Sequence, residues 1–218
     1  MIKKVLVAPS ILSGDFANMA KSVADLEEWG ADYVHCDVMD GNYVPNITFG
    51  MPMVAALSKI TKLPLDVHLM IDKPERYIDS FIDSGADIIT FHPDACEKPL
   101  ETLKNIQKRG IKSGIVFNPN IDFENYKALV PYCDMILVMS VYAGFGGQKF
   151  IEDTYEKINK IKKYITDNKL NVLIEIDGGV TEENSKKLID TGVDILVSGS
   201  TIFKSANPKK TIENLKLS

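Results

Sequence analysis

The sequence is poor in cysteine and has no long apolar run, and each shortage argues against a class of protein. Its 218 residues contain only three cysteines, Cys36, Cys96 and Cys133, which lie far apart without a Cys-x-x-Cys pair. An odd and scattered set is not a disulfide framework and is typical of a reducing compartment, so we expect a cytoplasmic protein. No apolar stretch approaches the roughly 20 residues that cross a bilayer, which argues against a membrane protein.

Basic residues are also in deficit. The chain has 25 Lys and Arg against 30 Asp and Glu, which gives a net charge of −5. Proteins that bind nucleic acid need a basic surface that displaces counterions from the phosphates, so we expect no nucleic-acid partner. An anionic small molecule would have to be held by local dipoles instead.

The sequence does contain a regular alternation of two kinds of segment. Short apolar runs predict eight strands, at 5–8, 33–38, 65–69, 87–91, 113–117, 135–139, 172–176 and 194–197. Amphipathic stretches between them predict helices, among them 19–29, 74–84, 100–109 and 154–167. Glycines at 30, 85 and 192 are expected to end helices in the left-handed conformation.

This alternation predicts the fold class. Eight strand–helix units in 218 residues, with no linker between them, predict an α/β protein with one (β/α)₈ TIM barrel over residues 1–218. A doubly wound open sheet is the structural alternative.

Two of the predicted strands carry polar side chains on one face. Side chains alternate between the faces of a strand, so an imidazole, a carboxylate and a thioether fall together on each. These are His35, Asp37 and Met39 in the first strand, and Asp66, His68 and Met70 in the second. An ordinary core rarely holds such groups, so they predict a metal site between the strands. A merely satisfied buried His–Asp pair is the simpler alternative.

Polar residues also end most of the other strands. They include all three histidines of the chain, and the set reads Ser10, His35, Asp37, His68, His92, Asn118, Ser140, Asp177 and Ser198. In a (β/α)₈ barrel the chemistry is placed at the carboxyl ends of the strands. The sequence therefore predicts an enzyme site at that end.

Six sequence blocks carry a family resemblance. They are Ala8-Pro-Ser-Ile-Leu-Ser, His35-Cys-Asp-Val-Met-Asp-Gly-Asn-Tyr-Val-Pro-Asn, Asp66-Val-His-Leu-Met, Met139-Ser-Val with Gly144-Phe-Gly-Gly-Gln, Asp177-Gly-Gly-Val, and Val197-Ser-Gly-Ser. In this order and spacing, residues 7–203 closely resemble the ribulose-phosphate 3-epimerase family. The resemblance implies a metal-dependent barrel enzyme, commonly a homo-oligomer, that inverts C3 of a ketose phosphate. The usual reaction converts D-ribulose 5-phosphate to D-xylulose 5-phosphate in the pentose phosphate pathway.

The resemblance also implies a metal site and an acid–base pair. The implied ligands are His35, Asp37, His68 and Asp177, with Asp37 and Asp177 also acting as acid and base. Two imidazoles and two carboxylates suit Zn²⁺, Mn²⁺, Fe²⁺ or Co²⁺ better than Ca²⁺, so we expect one such ion per chain. Inversion beside a carbonyl needs a base on one face and an acid on the other, with an enediolate between them.

The remaining implied residues surround the substrate. Met39, Met70 and Met139 would line the intermediate as apolar, polarizable walls, although methionine is also a common gap-filler. Ser10 and His68 would contact the sugar. The phosphate is expected where glycines let backbone N–H groups approach, and a loop is expected to close over it. The residues expected around the phosphate are Asp177, Gly178, Gly179, Gly199 and Ser200. The residues expected in the closing loop are Gly144, Phe145, Gly146 and Gly147.

Two departures from the family pattern leave the sugar length open. Tyr142-Ala stands where the family usually has Asn-Pro, and His92-Pro-Asp-Ala stands for the usual His-x-Glu-Ala. The second resembles the allulose-6-phosphate 3-epimerases, so conversion of D-allulose 6-phosphate to fructose 6-phosphate is the alternative reaction. A Schiff-base aldolase would need a lysine at a strand end, and none of the predicted ends offers one. A metal-binding barrel that binds a sugar phosphate without catalysis is the non-enzyme alternative.

Overall fold

The strands form a closed parallel barrel in the computed structural model, which describes residues 5–217. They are β1 Leu6–Ala8, β2 Val34–Met39, β3 Leu65–Met70, β4 Ile88–Phe91, β5 Lys112–Phe117, β6 Met135–Met139, β7 Leu173–Asp177 and β8 Ile195–Val197. Their order is β1-β8-β7-β6-β5-β4-β3-β2. A parallel bridge between Ser10 and His35 joins β1 to β2 and closes the ring. The predicted TIM barrel is confirmed and the open sheet is wrong.

Helices cover the outside of the barrel. They are α1 Met19–Trp29, α2 Met51–Leu57, α3 Ile78–Asp83, α4 Pro99–Lys108, α5 Thr154–Asp167, α6 Glu182–Thr191, α7 Ser200–Phe203 and α8 Pro208–Leu217. Across the described part of the chain, residues 5–217, none of them combines the length and apolar character that a bilayer crossing requires.

Two connections differ from a simple strand–helix unit. The segment predicted as one helix over 74–84 is a 3₁₀ turn, Pro74–Arg76, followed by α3, because Tyr77 leaves the helical region at φ −120°. Between β5 and β6 the chain makes the 3₁₀ turns Phe123–Asn125 and Lys127–Tyr132. Pro131 lies inside the second turn, and a proline there cannot donate the hydrogen bond that an α-helix needs.

The two faces of each strand have different surroundings. Val34, Cys36 and Val38 of β2 pack in the large apolar cluster between barrel and helices. His35, Asp37 and Met39 alternate with them and therefore point into the barrel interior. The three cysteines are buried and free, as the sparse cysteine pattern suggests.

Four aspartates link the amino ends of the strands in pairs through hydrogen bonds. In each pair, an aspartate before an even-numbered strand accepts the backbone N–H of the first or second residue of the preceding odd-numbered strand. The bonds are Asp32 to Val7 at 2.9 Å, Asp87 to Leu65 at 2.8 Å, Asp134 to Ser113 at 2.9 Å, and Asp194 to Ile174 at 2.9 Å. Three of these aspartates follow the glycines that were expected to end helices, and Gly30, Gly85 and Gly192 do adopt φ of 82°, 98° and 117°. The Gly-x-Asp pattern thus ends a helix and aligns the strand that follows the helix with the strand that precedes it.

We expect Asp87→Ala to lower the free energy of unfolding by about 1–3 kcal/mol, because it leaves the Leu65 N–H without its acceptor at the start of a buried strand. Urea unfolding followed by circular dichroism measures the change. Glu28→Ala, on the exposed face of α1, removes the same charge and should change it by less than about 0.5 kcal/mol. Equal losses in the two variants would contradict the role of the Asp87 hydrogen bond.

Candidate active site

Four side chains from three strands converge at the carboxyl end of the barrel. One ligand-type atom from each of His35, Asp37, His68 and Asp177 lies within 4.8 Å of the others. The first two come from β2, His68 from β3 and Asp177 from the end of β7. His35, Asp37 and His68 are buried, whereas Asp177 lies half-buried at the rim. The four residues predicted as metal ligands are therefore together.

Asp37 is at the centre of this group. Its Oδ2 accepts a hydrogen bond from the Ser10 hydroxyl at 2.6 Å, and its Oδ1 lies 3.2 Å from His68 Nδ1 and 3.3 Å from His35 Nε2. Although burial opposes the charge, the neighbouring His35 and His68 hold the pKa of Asp37 well below its usual range. Asp37 is therefore a carboxylate at neutral pH.

His35 is oriented by a second carboxylate deeper in the barrel. Its Nδ1 lies 2.6 Å from Asp66 Oδ2, so Nδ1 donates its hydrogen there and Nε2 faces Asp37. The buried Nε2 makes no hydrogen bond. An imidazole held by a carboxylate on one nitrogen, with the other turned to a cluster of donors, is the arrangement of metal-binding histidines. The donor set and this orphaned nitrogen fit a divalent transition metal.

Glu175 of β7 lies in the barrel interior, deeper than the cluster of predicted metal ligands. It is fully buried, with one oxygen 4.0 Å from His35 Nδ1 and neither oxygen in a hydrogen bond. Burial and the adjacent Asp66 raise the pKa of Glu175 well above its usual value, so its surroundings favour the neutral carboxyl group. Glu175 therefore lies inside the barrel, on the same face of β7 as Asp177.

The two aspartates predicted as acid and base have opposite electrostatic environments. Burial and the charge of Asp37 raise the pKa of Asp177 to about 7, while Asp37 is held ionised. A pair of carboxyl groups whose environments push their pKa values apart can supply a base and an acid at the same pH.

An open cavity lies above the cluster. It is lined by almost all of the residues predicted to surround a substrate: Ser10, Asp37, Met39, Met70, Met139, Gly144, Phe145, Gly146, Gly147, Asp177, Gly178, Gly179, Gly199 and Ser200. His68, also predicted to contact the substrate, is fully buried behind this lining. The three methionines are buried to within a few per cent, so they present apolar walls at the cavity floor.

Close packing accounts for three of the glycines at this cavity. A Cβ on Gly179 would lie 2.6 Å from the backbone nitrogen of Phe150, and one on Gly178 would lie 2.6 Å from Val141. Both glycines also have positive φ, which other residues rarely adopt. A Cβ on Gly199 would lie 2.5 Å from Ser13 Oγ. The backbones of these loops therefore line the cavity directly.

The sequence did not assign a role to several residues that the structure brings to the site. Ser13 and Gln148 line the cavity, and Gln148 Nε2 donates to the carbonyls of Tyr142 and Phe145 at 2.7 and 2.8 Å. His92 lies 2.9 Å from His68. The alternation of β3 could have indicated Asp66 as the partner of His35, because it shares a face with His68. No sequence signal identifies Ser13, since its position depends on how two loops meet.

Comparison with known proteins identifies the family. The sequence model described as the ribulose-phosphate 3 epimerase family matches residues 6–203. The chain belongs to the ribulose-phosphate 3-epimerase family. A ribulose-phosphate 3-epimerase of Bacillus subtilis is 43% identical over 213 residues, covering 97% of this chain and 98% of that protein. One from Synechocystis is 41% identical, with 99% and 95% covered. The chloroplastic ribulose-5-phosphate-3-epimerase of Arabidopsis thaliana is 42% identical, with 98% and 77% covered.

Solved structures confirm the barrel architecture outside this epimerase family. A mutant tryptophan synthase alpha-subunit from Pyrococcus furiosus superposes with a TM-score of 0.73 at 16% identity, covering 99% of both chains. A 3-hexulose-6-phosphate synthase superposes with a TM-score of 0.67 at 17% identity, covering 98% of both chains. At such identities the likeness is one of fold alone.

The raised pKa of Asp177 predicts a pH-dependent stability for this epimerase-family chain. The folded protein holds the proton up to about pH 7, while the unfolded chain releases it near pH 3.8. The contribution of protonated Asp177 to the free energy of unfolding is therefore fully present below pH 3.8 and is lost as the pH rises through about 7. With a chelator present, the free energy of unfolding of the wild type should fall relative to Asp177→Asn between these limits and run parallel above them. Urea unfolding at several pH values measures this, and parallel profiles throughout would contradict it.

Proposed function

We propose that this chain is a metal-dependent epimerase that inverts C3 of D-ribulose 5-phosphate to give D-xylulose 5-phosphate. The observation that carries the proposal is the pair Asp37 and Asp177, which meet within 4.8 Å beside two histidines at the floor of an open cavity. The relatives named as ribulose-phosphate 3-epimerases, at 40–44% identity, support the same reaction.

The two aspartates are proposed to act as base and acid. Asp37, held ionised, would remove the C3 proton from one face of the substrate, and protonated Asp177 would deliver a proton to the other. Their roles exchange in the reverse direction. Ser10 donates to Asp37 Oδ2 at 2.6 Å and so fixes the orientation of the carboxylate toward the cavity. Met39, Met70 and Met139 would exclude water from the intermediate without offering a proton of their own.

The proposed cofactor is one divalent transition metal per chain, Zn²⁺, Mn²⁺, Fe²⁺ or Co²⁺. His35 Nε2, His68 Nδ1 and one oxygen each from Asp37 and Asp177 would hold it. Such an ion supplies a Lewis acid that stabilises the negative charge of the enediolate. Asp66 would keep His35 in the tautomer with a free Nε2, because it accepts the Nδ1 hydrogen.

The phosphate is proposed to bind at the far side of the cavity, on the backbones of Gly178, Gly179, Gly199 and Ser200. Arginine and lysine are absent from the residues that line the cavity. A dianion there must be held by N–H groups and hydroxyls, and the glycines leave these backbones exposed to it. The segment from Gly144 to Gly147 is proposed to close over the bound sugar, anchored by Gln148.

The structure bears on the choice between five- and six-carbon sugars. His92 and Asp94, whose motif resembled the six-carbon enzymes, do not line the cavity, and Asp94 instead accepts a hydrogen bond from Tyr43 at 3.1 Å. That departure therefore carries no argument for a longer substrate, and the relatives named as ribulose-phosphate 3-epimerases favour ribulose 5-phosphate. Tyr142, which belongs to the other departure from the family pattern, does line the cavity. The homo-oligomeric state and the cytoplasmic location stay predictions from the sequence.

In heavy water, we expect each product molecule to gain one deuterium at C3 during a single conversion, because one aspartate removes the proton and the other supplies one from solvent. Mass spectrometry of xylulose 5-phosphate formed from ribulose 5-phosphate measures it. Asp37→Asn and Asp177→Asn should each lower kcat by at least about 10³-fold. Asp134→Asn, at the opposite end of the barrel, is the matched control and should stay near wild-type activity.

Product that keeps its original C3 hydrogen through inversion would rule out the two-aspartate scheme. Binding of ribulose 5-phosphate without any exchange or conversion would instead favour the non-catalytic binding barrel.

Removal of the phosphate should lower kcat/KM by roughly 10³-fold or more, because binding energy far from C3 is used to position the reacting carbon. Steady-state rates with ribulose and ribulose 5-phosphate measure the difference. Gly199→Val should impose a similar loss on the phosphorylated sugar, since its side chain would displace Ser13 and cover the proposed phosphate site. Gly50→Val, where a Cβ meets open space and the backbone is extended, is the control. Equal rates for the two sugars would refute the phosphate site.

A further inference from the structure

A chain of hydrogen bonds leads from the metal-ligand cluster to the rim of the barrel. His68 Nε2 lies 2.9 Å from His92 Nε2, and both rings are fully buried. Asn118 Nδ2 lies 3.4 Å from His92 Nδ1 and 2.9 Å from the Tyr43 hydroxyl. The Tyr43 hydroxyl donates to Asp94 at 3.1 Å.

The contact between the two histidines allows only two directions of hydrogen bonding. A neutral imidazole carries one N–H, so the nitrogen pair at 2.9 Å holds one hydrogen between them. If His92 donates, then His68 carries its hydrogen on Nδ1 and gives it to Asp37, 3.2 Å away. If His68 donates, its Nδ1 is free of hydrogen and presents a lone pair to the cluster. The tautomer of His92 and the ligand state of His68 are therefore linked.

The side-chain amide of Asn118, next to His92, also has two possible hydrogen-bonding orientations. As oriented, its Nδ2 donates to Tyr43 and faces a bare His92 Nδ1, while its buried Oδ1 has no partner. This orientation goes with His92 as donor to His68. A half-turn of the amide would bring Oδ1 to accept from both His92 Nδ1–H and the Tyr43 hydroxyl. Tyr43 would then no longer donate to Asp94.

We infer that His92 is the positioning residue of the metal ligand His68, and that binding of a divalent cation at His68 Nδ1 reverses every hydrogen bond from His68 to Tyr43. A cation at Nδ1 requires the lone pair there, so the His68 hydrogen moves to Nε2 and His92 must accept it. The His92 hydrogen then lies on Nδ1 and turns the Asn118 amide. The inference rests on the proposed metal site, and it extends that site by three residues to the Tyr43 hydroxyl.

The first test measures the dissociation constant of Zn²⁺ for the full chain by competition with a chelator. His92→Phe keeps a ring of similar size but removes the acceptor for His68 Nε2–H, and it should weaken Zn²⁺ binding by about 10–100-fold. His92→Gln places an amide oxygen close to the position of Nε2, so it should restore affinity to within a few-fold of wild type. Thr90→Val is the matched control, because Thr90 is buried on β4 beside His68 and its hydroxyl has no partner.

The second test needs no substitution. In ¹⁵N spectra of the imidazole rings, the His92 hydrogen should lie on Nε2 in chelator-treated wild-type protein and on Nδ1 after addition of Zn²⁺. A merely structural His92 would not change tautomer.

The outcomes separate this inference from the proposed function. Wild-type protein that binds about one Zn²⁺, with His92→Phe equally tight or an unchanged His92 tautomer, would overturn the inference and leave the metal site standing. Wild-type protein that binds no Zn²⁺ would overturn both.

Discussion

The buried carboxylate of Asp37 is the constraint on which the rest of this site depends. A charge inside a barrel is costly unless it is paired and hydrogen-bonded, and Asp37 is met by Ser10, His35 and His68 within 3.3 Å. Ser10 follows β1 and bridges to His35, which is the pairing that closes the barrel. Closure of the sheet and satisfaction of the charge therefore occur at one place, and neither is complete without the other.

The site is layered along the barrel axis. Asp37 and Asp177 face the cavity, and His35 and His68 lie behind them. Deeper in the barrel, Asp66 accepts a hydrogen bond from His35, Glu175 lies 4.0 Å from His35, and His92 lies 2.9 Å from His68. Only the first layer can touch a substrate. The deeper layers hold ionisable groups in which burial shifts the pKa, upward for Glu175 and downward for His92. In both Glu175 and His92, burial therefore opposes the charged form.

The two ends of each strand serve different purposes. At the amino ends, Asp32, Asp87, Asp134 and Asp194 align the strands in pairs by accepting backbone N–H groups. At the carboxyl ends, equivalent positions carry the cavity residues. Aspartate thus serves at both ends of the barrel, and the residue type alone does not distinguish a carboxylate that aligns strands from one at the candidate active site.

The sequence by itself determined the barrel and the first layer of the site. Apolar runs at regular spacing fix eight parallel strands, and alternation along β2 and β3 puts His35, Asp37 and His68 on the interior face. The family resemblance added Asp177 and the glycine loops, all of which line the cavity. Only the tertiary structure decided that His35 pairs with Asp66, that His92 meets His68, and that Ser13 lies against Gly199. The shear between strands and the meeting of loops set these contacts, and spacing along one segment carries no information about either.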